Sequence, residues 1–414
     1  MSSHSNSSNA STPLDLSKWR SLPTRLMLVG GVLSLIGLLV PSYREQFSFS
    51  WLVSFMFFLS LCLGGWFMVL VHHLFDASWS VPIRRVTENL ACQVRWMAVL
   101  FVPIALFAPR MYPWMELSAN HTPDHALHAK GALLNIPTYY LASIFCFAVW
   151  WYFTTKLRFW SLEQDRTGSA ECTNRMRKLA YFGVFAFAIT LTLGVIIWMK
   201  SLQHQWFSTM YGVYYFAGSV WLTIATVYVI TLVLKRQGPL REVVQETQFY
   251  FLGSLLFAFT VFYAYIHFSQ YFIIWNANIP EETFWYVLRE KGSWWQIGLL
   301  IVFGHFFLPF LALLRIDAKM SWIMIPLGVW AWLMHYIDIQ FNIMPILHPD
   351  GFVLHWLDIG SFAFMAGFMA KNFMKDFAAY PAYPQKDPRF AESMGVYVAP
   401  ASKAHATKVA GGAR

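Results

Sequence analysis

Long apolar stretches alternate with short polar connections along almost the whole chain. A membrane-spanning helix needs about 20 mostly apolar residues, and ten stretches meet or approach this length. They lie at 25–41, 47–74, 83–110, 133–157, 173–199, 209–234, 247–274, 293–314, 320–343 and 352–372. The third is the least apolar, because polar residues occupy 86–95. The pattern predicts an all-α polytopic membrane protein with about ten transmembrane helices.

The composition excludes a soluble globular protein. The chain has 414 residues, of which 57% are hydrophobic, 19% are aromatic and only 12% are charged. Soluble domains carry about 25% charged residues, and a single soluble core stops growing near roughly 250–300 residues. The loops between the apolar stretches are too short to form a separate catalytic domain. The protein is therefore expected to be embedded in a membrane over most of its length.

The distribution of positive charge predicts the orientation. If the amino terminus is cytoplasmic, the cytoplasmic segments hold 23 Lys and Arg residues and the outer segments hold 6. Lys and Arg concentrate in cytoplasmic loops, so both termini are predicted to be cytoplasmic. The net charge of +9 then reflects membrane topology and not a surface for nucleic acid. Residues 1–24 lack the apolar core of a signal peptide and are expected to form a disordered cytoplasmic tail, and 375–414 form a second tail.

A short internal match raises the question of duplication. The second stretch carries Gly64-Gly65-Trp66, and the sixth carries Gly218-Ser219-Val220-Trp221. Both stretches run in the same predicted direction, as expected for a parallel repeat of a four-helix unit. Chance also produces matches of this size, so the pattern alone leaves the duplication open.

Ionisable side chains within the later apolar stretches are the main candidates for chemistry. They are His267, His305, His335, Asp338, His355 and Asp358. Such groups are costly inside a bilayer and usually face a bundle interior or a wet cavity. Histidine titrates near neutral pH, so three or more imidazoles with two carboxylates fit a proton relay in the outer half of the membrane. The alternative is a set of interhelical hydrogen bonds that only hold the bundle together.

A second polar group lies at the cytoplasmic end of the second and third stretches. Its candidate residues are His72, His73, Asp76 and Glu88. His72 and Asp76 are four residues apart and would share a helix face, so this group is a candidate for proton entry. The alternative assigns the neighbouring Arg84 and Arg85 to topology and leaves Arg95 to reach the membrane surface.

Other chemistry finds little support in the sequence. The four cysteines are Cys62, Cys92, Cys146 and Cys172, and their spacing fits neither an iron–sulfur cluster nor an attached c-type haem. No nucleotide-binding glycine motif or nucleophile elbow occurs. The run from His121 to His128 holds three histidines and could bind a metal, but an ordinary solvated loop is the simpler interpretation.

Three stretches resemble one protein family. They are 71–85 (VHHLFDASWSVPIRR), 267–283 (HFSQYFIIWNANIPEET) and 355–360 (HWLDIG). They are similar to the ActF family of NrfD-like integral membrane subunits of bacterial alternative complex III, and the resemblance covers nearly the whole chain. It implies a multi-pass subunit of the bacterial inner membrane in a quinol:electron-acceptor oxidoreductase, which passes electrons to cytochrome c, a high-potential iron–sulfur protein or a terminal oxidase.

The resemblance also implies an architecture and partners. Residues 25–46 would form a first transmembrane helix, 47–199 and 200–343 two four-helix bundles, and 344–374 a tenth helix. Iron–sulfur clusters and c-type haem would lie in partner subunits, and quinol chiefly in a homologous NrfD-like membrane subunit, so this chain would carry no redox cofactor. Other small membrane subunits and lipids would complete its surroundings, without nucleic acid.

The resemblance implies a role in proton transfer or coupling. His72, His73, Asp76 and Glu88 would serve a cytoplasmic half-channel. His267, Asp338, His355 and Asp358 would serve an outer half-channel, with His305 and His335 between the two. Two other classes of function stay open from the residues alone. One is a secondary transporter of a small solute, and the other is a passive membrane scaffold.

Overall fold

The described chain is helical throughout, apart from its turns and loops. The computed structural model describes residues 21–120, 123–320 and 322–396, and no strand occurs in these ranges. In chain order the helices are α1 Ser21–Leu39, α2 Arg44–Leu74, α3 Arg84–Cys92, α4 Val94–Leu100, α5 Val102–Met111, α6 Pro113–Ala119, α7 His125–Ala129, α8 Ile136–Thr167, α9 Glu171–Trp198, α10 Tyr211–Gln237, α11 Glu246–Ala277, α12 Pro280–Arg289, α13 Trp294–Ile301, α14 Leu308–Leu313, α15 Met324–Ile343, α16 Trp356–Ala378 and α17 Phe390–Ser393. The predicted all-α class is confirmed for these residues.

Seven helical segments of the described chain are long and apolar enough to cross a membrane. The segment from Ser78 to Met111 makes an eighth if its two parts, which meet at 54°, form one span. Pro103 stands at the start of α5, where the missing N–H group of proline breaks the ladder of helical hydrogen bonds. The chain thus has the several long apolar helices of a multi-pass membrane protein.

The predicted count of ten spans is not confirmed. All ten predicted stretches contain helix in their described residues, but the helices of the last two, α15 and α16, are not among the segments that are long and apolar enough to cross a membrane. The bounds also differ. Residues 21–24 belong to α1 and not to a disordered tail, α8 continues ten residues beyond the predicted end at 157, and α16 reaches Ala378 instead of ending at 374. Residues 1–20 and 397–414 of the predicted tails lie outside the described ranges.

Helices α2 and α10 form the centre of the bundle, and most of their residues are buried. They pack against each other near Gly64 and Ser219. A Cβ atom on Gly64 would lie 2.1 Å from Oγ1 of Thr223 and 2.6 Å from the carbonyl oxygen of Ser219. Small residues allow two helix backbones to approach this closely, so the two matched glycine segments lie in the central part of the molecule.

Gly64→Ala is therefore expected to destabilise the protein by about 1–3 kcal/mol, the usual cost of overpacking a filled core. The Thr223 side chain can rotate, but the Ser219 carbonyl belongs to a helix backbone. Gly298→Ala is the control, because its added Cβ would meet its nearest neighbour, Phe341, at an ordinary 3.6 Å. Thermal unfolding in detergent measures both variants, and equal melting temperatures would contradict the tight crossing.

The long helices pair in the same order in the two halves of the chain. In the first half, α2 contacts α3 and α9, α3 contacts α8, and α8 contacts α9. In the second half, α10 contacts α11 and α15, α11 contacts α14, and α13 contacts α15. Helices α1 and α16 pack against each other beside this core.

The two ends of the bundle differ in their polar residues. We call the end that holds residues 72–88, 158–166 and 380–396 the arginine end, because Arg84, Arg85 and Arg389 are buried there. The opposite end, with residues 198–210 and 280–293, is called the loop end.

Candidate functional site

A buried polar cluster lies between α10, α11, α15 and the segment that joins α13 to α14. Its centre consists of His305, His335 and Asp338, all at most 2% exposed. Nitrogen and carboxylate oxygen atoms of these three side chains lie within 4.8 Å of one another. The structure thus brings together three of the predicted residues, which come from two stretches of the sequence, His305 from the eighth and His335 and Asp338 from the ninth.

His305 owes its position to an irregular turn of helix. Residues Val302–Phe307 form a π-helix, and Pro309 follows in the first turn of α14. Single π-helical turns are rare and are frequent at functional sites. The imidazole lies between two aromatic rings, with centroid distances of 3.9 Å to Trp221 and 3.7 Å to Tyr263. Neither ring nitrogen has a hydrogen-bond partner among the described residues.

His335 is held by α2 and α10. Its Nε2 lies 3.0 Å from Oγ of Ser60 in the middle of α2, and its Nδ1 has no partner in the described chain. Gly218 makes room for the ring, because a Cβ atom at this position would lie 3.0 Å from Cε1 of His335. The glycine of the second matched segment therefore accommodates a candidate functional histidine.

Asp338 lies within 4.8 Å of both histidines and accepts a hydrogen bond from a pair of tyrosine hydroxyl groups. The hydroxyl of Tyr214 donates to Oδ1 of Asp338 and lies 3.0 Å from the hydroxyl of Tyr263. Asn342 donates to the backbone carbonyl of Asp338 at 2.8 Å and accepts from Tyr211 at 3.0 Å. Tyrosine hydroxyls both donate and accept, so the cluster can pass a proton between neighbours.

The cluster extends from mid-depth to the loop end. His335 lies eight residues before the end of α15, which corresponds to roughly 12 Å of helix. At the loop end, the buried guanidinium of Arg289 donates to the backbone carbonyls of Phe341 and Asn342 at 2.9 and 2.8 Å. It also lies 3.4 Å from the ring centroid of Trp285. A fixed positive charge therefore stands where the polar chain reaches the end of the bundle.

The three central side chains offer atoms at a spacing that a metal ion would accept, but their hydrogen bonds favour another use. Tyr214 already donates to Asp338, and Ser60 is bonded to Nε2 of His335. The partners are hydroxyl groups that can exchange protons. These hydrogen bonds suit the cluster to proton exchange, while Nδ1 of His335 and both nitrogens of His305 have no partner among the described residues.

The remaining residues predicted for the outer half lie at the margin or elsewhere. The His267 ring borders the cluster, with centroids 5.5 Å from Tyr214 and 5.8 Å from Tyr263. His355 and Asp358 instead begin α16 as a capping box. Oδ2 of Asp358 accepts from the His355 backbone at 2.8 Å, and Oδ1 accepts from Ser50 at 2.5 Å. No hydrogen bond described here joins this pair to the central cluster.

The four residues predicted for proton entry lie at the arginine end. Glu88 contacts Arg84 at 3.1 Å, Arg85 at 2.8 Å and Arg158 at 3.8 Å. Arg84 also lies 3.0 Å from Nε2 of His72. Because a guanidinium only donates, this nitrogen of His72 accepts, and its Nδ1 carries the proton toward Ser80 at 2.6 Å. Glu88 and His72 are thus fixed by partners.

Asp76 and His73 differ in their surroundings. Asp76 pairs with Arg177 at 2.8 Å and with Arg389 at 2.7 Å. His73 is 1% exposed, and neither of its ring nitrogens has a partner in the described chain. Arg95, placed at the membrane surface by the sequence, pairs with Asp376 of α16. The carboxylates predicted for proton entry are therefore held in a network of ion pairs with arginines.

The carboxyl-terminal segment 380–396 completes this network. Asp387 pairs with Arg84 at 2.5 Å and with Arg389 at 2.8 Å. Burial alone would raise the pKa of the Asp387 carboxyl, but the two guanidinium groups outweigh burial and hold its pKa well below the usual value. Oδ1 of Asp165 accepts from the backbone of Gln385. The segment expected to be a surface tail is thus tied to buried charges.

The histidine-rich loop at the loop end gives no metal cluster among its described residues. Asp124 caps α7 by accepting from the backbone N–H of Leu127 at 2.7 Å and lies 3.2 Å from His204. The hydrogen bond from Leu127 lowers the pKa of Asp124, and His204 lowers it further. His121 lies outside the described residues, so the predicted candidate cannot be built in full.

Sequence reasoning missed Tyr214, Tyr263 and Ser60, which contact the central residues. Tyrosine and serine occur commonly in apolar helices, so they do not stand out as charged groups do. One signal was present, because Tyr263 and His267 are four residues apart on α11 and share a face. No protein-family model matches the chain, and no curated protein is significantly similar to it.

Proposed function

We propose that this chain is a proton-transferring membrane subunit of a quinol-oxidising respiratory or photosynthetic complex. The observation that carries the proposal is the buried series of polar groups that runs from Ser60 and His335 to Asp338 and Tyr214, in which His335 and Asp338 lie within 4.8 Å of each other. Its members are hydroxyl, imidazole and carboxyl groups, which are the side chains that exchange protons in membrane proteins. A scaffold would be served equally well by apolar contacts at these positions.

In this proposal each group of the cluster has a role. Asp338 holds the proton, because it is the only carboxylate among the three central residues, and Tyr214 exchanges it by rotation of a hydroxyl. Tyr263 lies within hydrogen-bond distance of Tyr214 and stacks on His305, so it holds the imidazole beside the hydroxyl groups. Neither nitrogen of His305 has a hydrogen-bond partner in the described part of the chain, which leaves it able to accept a proton from a bridging group.

The nature of the complex rests on the resemblance to NrfD-like subunits of alternative complex III. The repeated helix pairing supports the two four-helix units at 47–199 and 200–343 that the resemblance implies. In this proposal both termini are cytoplasmic, and the chain spans the bacterial inner membrane ten times. An iron–sulfur subunit, c-type cytochromes and a homologous membrane subunit that binds quinol are its partners, and this chain contributes no redox cofactor of its own.

Affinity purification in mild detergent tests the assignment to a complex. A tagged chain is expected to bring down a large iron–sulfur subunit and c-type haem, identified by mass spectrometry and by visible absorption of the reduced sample. Expression without a tag provides the control for non-specific binding. A colourless protein that purifies alone would overturn the assignment.

One observation favours the second class of function, a secondary transporter. The π-helix at Val302–Phe307 and the 54° bend before α5 interrupt two spans, and transporters commonly build their sites at broken helices. A solitary protein in the purification experiment would make this the leading proposal. Substrate-induced changes in its melting temperature would then be the next measurement.

A further inference from the structure

An open cavity of about 520 Å³ lies at the arginine end, far along α10 and α11 from the polar cluster. It is lined by Tyr228, Leu232, Lys235, Arg236, Arg241, Glu246, Phe249, Met320 and Trp322. Three cations and one carboxylate therefore face one space. The cavity takes no part in the proton-transfer proposal.

The cations of this cavity differ from the other basic residues at the same end. Arg84, Arg85 and Arg389 each pair with carboxylates of the chain. Among the described residues, no ion pair includes any of the three cations of the cavity. Lys235 instead lies 5.3 Å from the ring centroid of Phe249. Unneutralised charges gathered around a cavity favour an anion from outside the chain.

The walls of the cavity show which kind of anion fits. Beside the charges stand Leu232, Met320 and Trp322, and Trp322 is 73% exposed. Exposed tryptophan at the end of apolar helices is typical of the membrane interface. Basic pockets between transmembrane helices bind anionic lipid headgroups on the cytoplasmic side, and the positive-inside rule predicts that side for this end.

We propose that this cavity binds the phosphate headgroup of an anionic phospholipid. Arg236 and Arg241 bind the phosphate oxygens, and Lys235 adds a third positive charge. The acyl chains lie against the apolar wall formed by Leu232 and Trp322. Glu246 lines the same cavity and repels the headgroup phosphate, so it weakens the binding of the anion.

Binding is measured on the full chain, or on the complex that contains it, after delipidation in detergent. The probes are short-chain phosphatidylglycerol, phosphatidylcholine of the same chain length, glycerol phosphate and inorganic phosphate. We expect phosphatidylglycerol to bind at least fivefold more tightly than the other three. The Arg236→Gln/Arg241→Gln double variant is expected to lose at least fivefold in affinity for it. Glu246→Gln is expected to bind it more tightly than the wild type.

The control double variant is Arg175→Gln/Lys178→Gln, which removes two exposed positive charges from the same end and is expected to bind like wild type. An equal loss in both double variants would overturn the site, because binding would follow net charge only. Equal affinity for glycerol phosphate and phosphatidylglycerol would also overturn it, in favour of a soluble phosphate. If the first double variant does not fold, the Glu246→Gln variant provides the test. Tighter binding of phosphatidylglycerol supports the site, and unchanged or weaker binding overturns it. The assay does not involve quinol oxidation, so its failure leaves the proton-transfer proposal standing.

Discussion

Complexes that carry Asp338→Asn are expected to oxidise quinol at least about tenfold more slowly than wild type, or to move fewer protons per electron. A positioned acid or base commonly contributes roughly 10²–10⁴-fold to a step that it assists. Asparagine cannot hold the proton that the proposed function assigns to Asp338, the acceptor of the Tyr214 hydroxyl. The measurement is quinol oxidation and proton release in proteoliposomes, expressed per assembled complex from the haem content.

Three further variants separate proton transfer from helix packing. Asp338→Glu keeps a carboxyl group and is expected to restore part of the rate. Tyr214→Phe removes a hydroxyl from the cluster and is expected to slow turnover. Its control is Tyr112→Phe, which removes an equally buried hydroxyl that donates to the carbonyl of Trp198 at 2.8 Å. Poor assembly with unchanged turnover per complex in Asp338→Asn would show that the cluster only holds the helices together.

Asp387→Asn is expected to lower the stability of the protein by about 3 kcal/mol. Removing one partner of a buried ion pair leaves uncompensated charge and typically costs several kcal/mol. Arg84 and Arg389 each lose one carboxylate here and keep another, Glu88 and Asp76 respectively. Thermal unfolding in detergent measures the loss. Hydrogen exchange of backbone amides in 380–396 is expected to become faster, because the segment is released from the arginine end.

Glu163→Gln is the control for this variant, since it breaks an ion pair with Arg166 that is largely exposed. Exposed pairs contribute little, so the melting temperature of Glu163→Gln should stay near that of wild type.

Because the pKa of Asp387 is lowered in the folded chain, the contribution of Asp387 to stability is complete above an ordinary carboxyl pKa of about 4 and is lost as the pH falls toward the lowered value. Unchanged exchange in Asp387→Asn at pH 7 would contradict this account.

Much of the fold follows from hydropathy. The apolar stretches locate all the long helices. Backbone N–H and C=O groups inside a bilayer have no water to bond, so an apolar spanning segment forms a helix in which these groups bond to each other. The irregularities are less visible. Pro103 indicates the bend before α5 in retrospect, but the π-helix at Val302–Phe307 depends on how neighbouring helices pack around it. Hydropathy averages over such a turn, and no residue type specifies it.

The candidate site was predicted in part for similar reasons. His305, His335 and Asp338 stood out because they are ionisable in apolar surroundings. Sequence spacing alone, however, cannot distinguish a histidine–carboxylate pair that transfers protons from a pair that caps the end of a helix. His355 and Asp358 are three residues apart at the start of a helix, which is also the spacing of a capping box, and the structure uses them as one.

The arginine end was the least predictable region. Arg84 and Arg85 were attributed to topology, yet both are at most 1% exposed. Their partners include Asp387, about 300 residues away in the sequence, and Asp165 on α8. Charge counts describe where basic residues occur along the chain, but they contain no information about which distant carboxylate will reach them.

The docking of segment 380–396 also sets an order of events during synthesis. Chains fold from the amino terminus as they are made, and every long helix precedes this segment. Until Asp387 emerges from the ribosome, Arg84 lacks this partner, and Gln248 of α11 lacks the Ser393 carbonyl that it contacts at 3.1 Å. The segment that is synthesised last therefore links α3 to α11. A chain that ends before residue 387 would form its long helices but lack this link, and we expect proteases to degrade it faster.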